Sequence, residues 1–335
     1  MTACRKISVF WAMILVPLLL AAVAGAQSCE TASDMDEATR AALVNTARRY
    51  FDMAARGDSA GLKQGAIASV AADFSAIEAA VKDNQPNLAG AQAAPRPPFL
   101  LKQDSTAPLD RAEFLCGVFG KSGQTSNSAV FVIPNLPPGN YAVDTIDANT
   151  AKGAYTVSFV LQQEGADWKL GGFYVKETQA AGHDGNWFAD QAGQFKAKGQ
   201  LHNAWLYYLQ ARDLLAPVPF MSTQATDKLY DEMQSLSPSD LPTKTSTVDL
   251  VAGGKTYRLT DLFPQVVAED IDLVVKYQTS SVANTGQTFQ DNVAVIKALV
   301  AKYPEYRDAF AGVVARAVEP SGADYGTLLP MKEIK

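Results

Sequence analysis

GNWFADQAGQFKAKGQLHNAWLYYLQARDLLAPV, residues 185–218, reads as two antiparallel helices that turn at Gly199. Phe188, Ala192 and Phe195 recur at helical spacing on the first segment, and Ala204, Tyr208 and Ala211 on the second. Small residues at such positions let two helices approach closely, and the aromatic ones fill the space beside them. Pro217 ends the second segment, because proline lacks the N–H that another helical turn needs. A lone helical pair cannot bury both of its apolar faces, so it must dock on something. The pattern suggests a partner surface and not a reaction, with Phe188, Phe195 and Tyr208 expected at that surface.

The same spacing resembles the tetratricopeptide repeat. Phe188, Ala192 and Phe195 match its first-helix large-small-large pattern, Gly199 its turn, and Ala204, Tyr208 and Ala211 its second helix. Gln191 stands where Leu is usual, and Pro217 falls one residue late. The resemblance implies binding of a protein or peptide. A further helical pattern at 223–236, with Leu229, Tyr230 and Met233 in a stripe, is expected to cap one side of the pair, and the preceding domain the other. Two roles stand open for the pair: partner binding, or plain connection between domains.

Upstream, residues 30–180 read as an α+β domain. Leu43, Ala47, Tyr50, Phe51 and Ala54 form the stripe of one amphipathic helix, which stops at Gly57-Asp58. Leu62, Ile67, Val70, Phe74, Ile77 and Val81 suggest a second helix, broken at Asn84-Gln85-Pro86. Residues 84–108 carry five prolines and little periodicity, so an extended surface loop is expected there. The pattern then changes to strands in AEFLCGVFG (112–120), SAVFVIPNL (128–136), GNYAVDTID (139–147), AYTVSFVLQQEG (154–165) and DWKLGGFYVKE (167–177). Tyr155, Val157, Phe159 and Leu161 alternate onto one face, which should cover the opening helices as a curved antiparallel sheet.

The hairpin GAYTVSFVLQQEGADWKLGGFYVKE (153–177), with Trp168 opening its second strand, is similar to the nuclear-transport-factor-like, or cystatin-like cone, superfamily. That likeness covers about residues 34–178 and implies helices seated in the hollow of the sheet. It also implies a pocket lined by Tyr50, Phe51, Phe74, Tyr155, Phe159 and Phe173, with Tyr155 or Asp144 as polar groups. Some isomerases and dehydratases of the superfamily work with one Asp or His and a Tyr in such a cavity; ordinary core packing is the competing reading. The run FVIPNLPPGNYAV (131–143) is also similar to carboxypeptidase-regulatory-like sandwich domains, but two leading helices and too few strands oppose a sandwich.

After the polar linker SLSPSDLPTKTST (235–247), residues 245–335 read as a small α+β domain. A hairpin turning at Gly253-Gly254 and the strand DIDLVVKYQ open it. Thr288 is expected to cap a helix through Tyr303, and Pro304 to start another ending near Val318.

At the N-terminus, Arg5 and Lys6 precede the apolar run ISVFWAMILVPLLLAAVAG, and Ala24-Gly25-Ala26 supplies small residues for signal peptidase. Residues 1–26 thus read as a signal peptide cleaved near Ala26, which places the mature chain in the periplasm or outside the cell. Membrane contact would come only from an uncleaved signal segment or from lipidation at Cys29, and Ala26-Gln27-Ser28 lacks the Leu-containing box of lipoproteins. Cleavage removes Arg5 and Lys6 and no acid, so a net charge of −6 becomes −8, which argues against nucleic acid as a partner. Cys29 and Cys116 remain, either as a disulfide or as two free thiols.

No catalytic constellation emerges. Gly57-Asp58-Ser59-Ala60-Gly61 matches the serine-hydrolase elbow in letters, but a helical pattern precedes it where that elbow needs a strand. His183 and His202, the two histidines, flank the hairpin's segments and read as surface residues. Asp144, Asp147 and Asn149 resemble the start of a calcium loop without its Gly and closing Glu, and read as a turn. The expectation is a non-catalytic exported interaction module of the cell envelope with no metal or cofactor. The alternative is a small-ligand cone-fold protein with weak isomerase or hydrolase chemistry.

Overall fold

The computed structural model describes residues 27–118, 123–243 and 245–335; the expected signal segment at 1–26 lies outside them. Strand β1 (Gln27–Glu30) is followed by helices α1 (Glu37–Ala55), α2 (Ser59–Gln64), α3 (Ala68–Ala72) and α4 (Ser75–Leu88). Asp36 caps α1 by accepting from Thr39 N, and Asp58 caps α2 by accepting from Gly61 N. The Gly-Asp-Ser-Ala-Gly string is therefore an interhelical turn, with Gly57 at φ +73°.

The expected single second helix is instead three. Gly65 and Ile67 leave the helix to bond the backbone of Leu170, at 2.9 and 3.0 Å, and the Tyr50 hydroxyl donates to Gly65 O at 2.7 Å. Sheet pairing thus outcompetes helical continuation. Pro86 does not break α4 but sits in its last turn, where a missing N–H costs one bond.

The main sheet runs β1, β3 (Phe99–Gln103), β6 (Gly139–Thr150), β7 (Gly153–Glu164), β8 (Asp167–Glu177), and β2 (Gln92–Pro95) extends the edge beside β6. All its pairings are antiparallel. The proline-rich stretch is therefore not one loop: it ends α4 and supplies β2 at the sheet edge and β3 between β1 and β6. Its extended backbone was legible, but proline removes only its own donor, and neighbouring N–H groups still pair with β6. Asp144, Asp147 and Asn149 lie within β6, not in a turn. Gly165, at φ +63°, makes the tight turn between β7 and β8, where Glu164 pairs with Asp167.

One sheet face, carrying Ala142, Ile146, Tyr155, Val157, Phe159 and Leu161, forms a core with Leu43, Tyr50, Phe51 and Leu62 of the helices. The opposite face turns Leu101, Tyr141 and Val143 onto the small sheet of β4 (Leu109–Cys116) and β5 (Ala129–Leu136). Cys29 on β1 and Cys116 on β4 are joined as a disulfide across this junction. A sulfur so bonded is not available to a lipid.

A two-residue hairpin of β9 (Gln179–Ala180) and β10 (His183–Asp184) leads into α5 (Gly185–Ala197) and α6 (Leu201–Leu215). Gly199 turns between them at φ +77°. Gly185 marks their closest approach, since a Cβ there would sit 2.9 Å from Ala211 O. Strand β11 (Met221–Thr223) then joins β5, and α7 (Gln224–Leu236) follows with Leu229 and Met233 buried. Tyr230 is turned out of the expected stripe and is 46% exposed.

The last sheet is ordered β12 (Val248–Ala252), β13 (Lys255–Val267), β14 (Asp270–Gln278), β15 (Gly312–Val318), β16 (Asp324–Pro330). Helix α8 (Thr285–Lys302) makes the crossover between the parallel pair β14 and β15. Its cap is Asn284, which accepts from Gln287 N; the expected cap, Thr288, lies one turn inside and donates to Asn284 O. Pro304 starts only a short 3-10 turn (Pro304–Asp308), and the expected second helix is replaced by β15, whose Gly-Val-Val-Ala-Arg-Ala-Val alternation suits a strand. Among the described residues no helix is long and apolar enough to cross a membrane.

Candidate functional site

The hairpin residues expected at a partner surface are spent on the chain's own core. Phe188, Phe195 and Tyr208 are buried in one cluster that runs from α5 and α6 into Leu250, Leu262, Val275, Val295 and Phe310 of the last domain. Leu229 and Met233 of α7 cap one side, as expected; cover on the other comes chiefly from the C-terminal sheet and not from the preceding domain. Tyr207 lies at the centre: its ring meets Phe188, Phe195 and Phe310, and its hydroxyl donates to Ala309 O at 2.6 Å. Burial pushes its phenol up to about 12. Burying a Tyr and a Phe of this size contributes several kcal/mol, so these side chains cannot swing out to a partner at low cost.

His202 tightens the same junction. Its Nδ1 lies 2.8 Å from Glu305 Oε1 and its Nε2 3.0 Å from Asp240 Oδ1, so one ring ties α6 to the linker and to the turn after α8. Asn203 adds a donor to Glu305 O at 2.7 Å. His183 stacks flat on Trp187, with ring centroids 3.7 Å apart, at the entrance to α5. Among the described residues neither ring has a Ser, Thr or Cys hydrogen-bond partner.

In the first domain Tyr50, Phe51, Phe74, Tyr155, Phe159 and Phe173, expected around a pocket, belong to one packed core. Phe159 lies 6.1 Å from the Tyr50 ring and 5.7 Å from Phe173. Asp144 is the exception in chemistry. It sits on β6 opposite Phe159, shares a face with Ala142 and Ile146, and its buried Oδ2 has no hydrogen-bond partner. Removal from water raises its carboxyl to about 7. A single acid without a positioned partner can accept or release a proton but assembles no catalytic pair.

A partly open apolar surface lies elsewhere. A groove of about 610 Å³ is lined by Val130, Val132 and Pro134 of β5, by Phe220 before β11, and by Tyr230 and Arg212 from α7 and α6. Leu115, 56% exposed, pairs with Val130 and extends this face onto β4. Tyr174, on β8, meets Phe220 edge-on at 5.6 Å. Leu115, Tyr174 and Tyr230 are three of the seven large apolar side chains exposed among the described residues, so the patch is a concentration and not a scatter. Local geometry explains why it is open: Phe131 and Ala129 on the same strand face inward, and strand alternation sends Val130 and Val132 out. Val132 N bonds Phe220 O at 2.9 Å, which fixes the groove floor.

The guanidinium of Arg212 stacks on Tyr230 at 5.4 Å, and its buried Nε finds no acceptor. Asp227, one turn before Tyr230 on α7, accepts from Gln124 and from Ser222. None of these groove residues had been singled out as a binding residue from the sequence. The available signal was SAVFVIPNL itself, apolar at successive positions where a strand with one solvated face would alternate; a run of that kind calls for cover on both faces. Comparison with protein-family models, with curated proteins and with solved structures finds no match to this chain.

Proposed function

We propose that this chain is an exported protein- or peptide-binding module, and that its binding surface is the groove of β5, Phe220 and Tyr230. The carrying observation is the apolar groove of half-buried Val130, Val132 and Phe220, bounded by the exposed Leu115 and Tyr230 and edged by Arg212 and Asp227. Apolar patches anchored by aromatic side chains and Arg, with a polar rim, are what protein interfaces use. The Cys29–Cys116 bond supports residence in an oxidising compartment, which agrees with the signal-like residues 1–26. The helical pair, tetratricopeptide-like in spacing, serves in this reading as the rigid joint between the first and last domains. The test is retention of an envelope protein by the immobilised mature chain, compared with a Val132→Asp/Phe220→Asp variant of unchanged circular dichroism. Loss of retention in the variant supports the groove; equal retention removes it.

The buried carboxyl of Asp144 favours a second reading, a small-ligand interior in the cone-like first domain. Co-purification of a metabolite lost on Asp144→Asn, with no protein retained, would move the assignment there.

A further inference from the structure

We infer that the pocket beside the Cys29–Cys116 bond is a binding site for a small carboxylate carried on an apolar body. This site is separate from the proposed docking groove. It encloses about 430 Å³, within the size range of small-ligand sites. Its walls come from the turn after β1, the first turns of α1, the β2–β3 connection, the loop before β5, and β11.

Charge and chemistry select the ligand. Among the described residues, the charged side chains in the lining are Arg40 and Arg96, with no carboxylate, in a chain whose net charge is −6. Arg96 is neutralised by a two-pronged contact with Asp147, at 2.7 and 3.0 Å. Arg40 enters no ion pair among the described residues; its Nη1 donates to Ala32 O at 3.0 Å, which leaves the rest of the fork for a ligand. A guanidinium fork matches the two oxygens of a carboxylate. The rest of the wall sets an apolar side, Pro98, Phe99 and Met221, with Phe99 braced edge-on by Phe131 at 5.3 Å, beside neutral polar groups of Thr31, Ser33, Ser126, Asn127, Ser128 and Thr223. Asp34, next to the lining residue Ser33, does not itself line the cavity; its carboxylate accepts from the Thr31 hydroxyl and N–H at 2.6 and 3.0 Å.

The pocket is also held before any ligand arrives. The disulfide pins β1 to β4 two residues from Thr31 and one from Gly117, and the Ser128 hydroxyl donates to Gly117 O. Such preorganisation lowers the ordering cost of binding.

Calorimetric titration of the disulfide-intact mature chain with 4-phenylbutyrate and with 4-phenylbutyramide tests the assignment. The acid should bind saturably and the amide about tenfold more weakly, because the amide forfeits the charge-assisted pair. Arg40→Gln should weaken the acid by about the same factor and leave the amide unchanged, while Arg40→Lys recovers part of the loss. Equal affinity for acid and amide, wild-type affinity in Arg40→Gln, or no saturable heat for the acid at about 10 mM would each overturn the inference. Should Arg40→Gln fail to fold, Ser33→Trp at the exposed rim closes the cavity without touching the core; undiminished binding of the acid by that variant also overturns it.

Discussion

Asp144→Asn should flatten the dependence of stability on pH. The carboxyl lies in the helix-facing core beside Phe159 with one oxygen unpartnered, and burial raises it to about 7. In the unfolded chain it titrates near 3.9. Between those two values the native state keeps a proton that the unfolded state has released, so stability falls by about 1.4 kcal/mol per pH unit across the window. From pH 5 to pH 8 the group alone removes about 3 kcal/mol; stability is highest below the unfolded value and is lost as pH rises toward 7. Substitution by Asn keeps the shape and removes the ionisation, so the variant should be the more stable protein at pH 8. Urea unfolding of both proteins at pH 5, 6.5 and 8 measures the difference. Parallel stability profiles for wild type and variant would refute the reasoning, because they would mean that Asp144 reaches water or an unseen donor in the native state.

Four further outcomes are expected. Replacing Cys29 and Cys116 by Ser opens a loop of sequence separation 87 and should lower stability by about 4–5 kcal/mol in the chain-entropy account, read as a shift in the denaturation midpoint. Tyr306→Phe should be neutral or stabilising by about 1 kcal/mol, because its buried hydroxyl has no partner, and a clear loss in thermal stability would contradict this. Gly185→Ala forces a methyl against Ala211 O and should cost about 1–3 kcal/mol, whereas Gly193→Ala, whose nearest neighbour is 3.8 Å away, should cost nothing measurable by melting. His202→Ala frees Glu305 and Asp240 together and should raise amide exchange on both sides of the α6 junction, with little change in the first domain.

How far the sequence carried depended on whether a segment's partner was local. The α5–α6 pair and the β7–β8 hairpin were legible because spacing and turn residues, Gly199 and Gly165, specify each of them within one stretch. The split of the second helix was not, since its cause is Leu170, far along the chain. The 84–108 stretch showed its extended backbone but not its pairing, which β6 supplies. Likewise, Phe188 and Tyr208 showed that the hairpin needs cover, while nothing local in them distinguishes a foreign partner from the chain's own β14 and α8. The groove escaped because its walls are assembled from β5, the α6–β11 connection and α7, which no single window of sequence contains.

On the proposed function, partner contact occurs at the β5 groove while the helical pair is internal. A photo-crosslinking residue placed in turn at Val132, at Tyr208 and at the exposed Phe289 of α8 tests it in an envelope preparation. Position 132 should give a discrete intermolecular adduct, position 208 an adduct within the chain, and position 289 no discrete partner. An intermolecular adduct from 208 with none from 132 would contradict it.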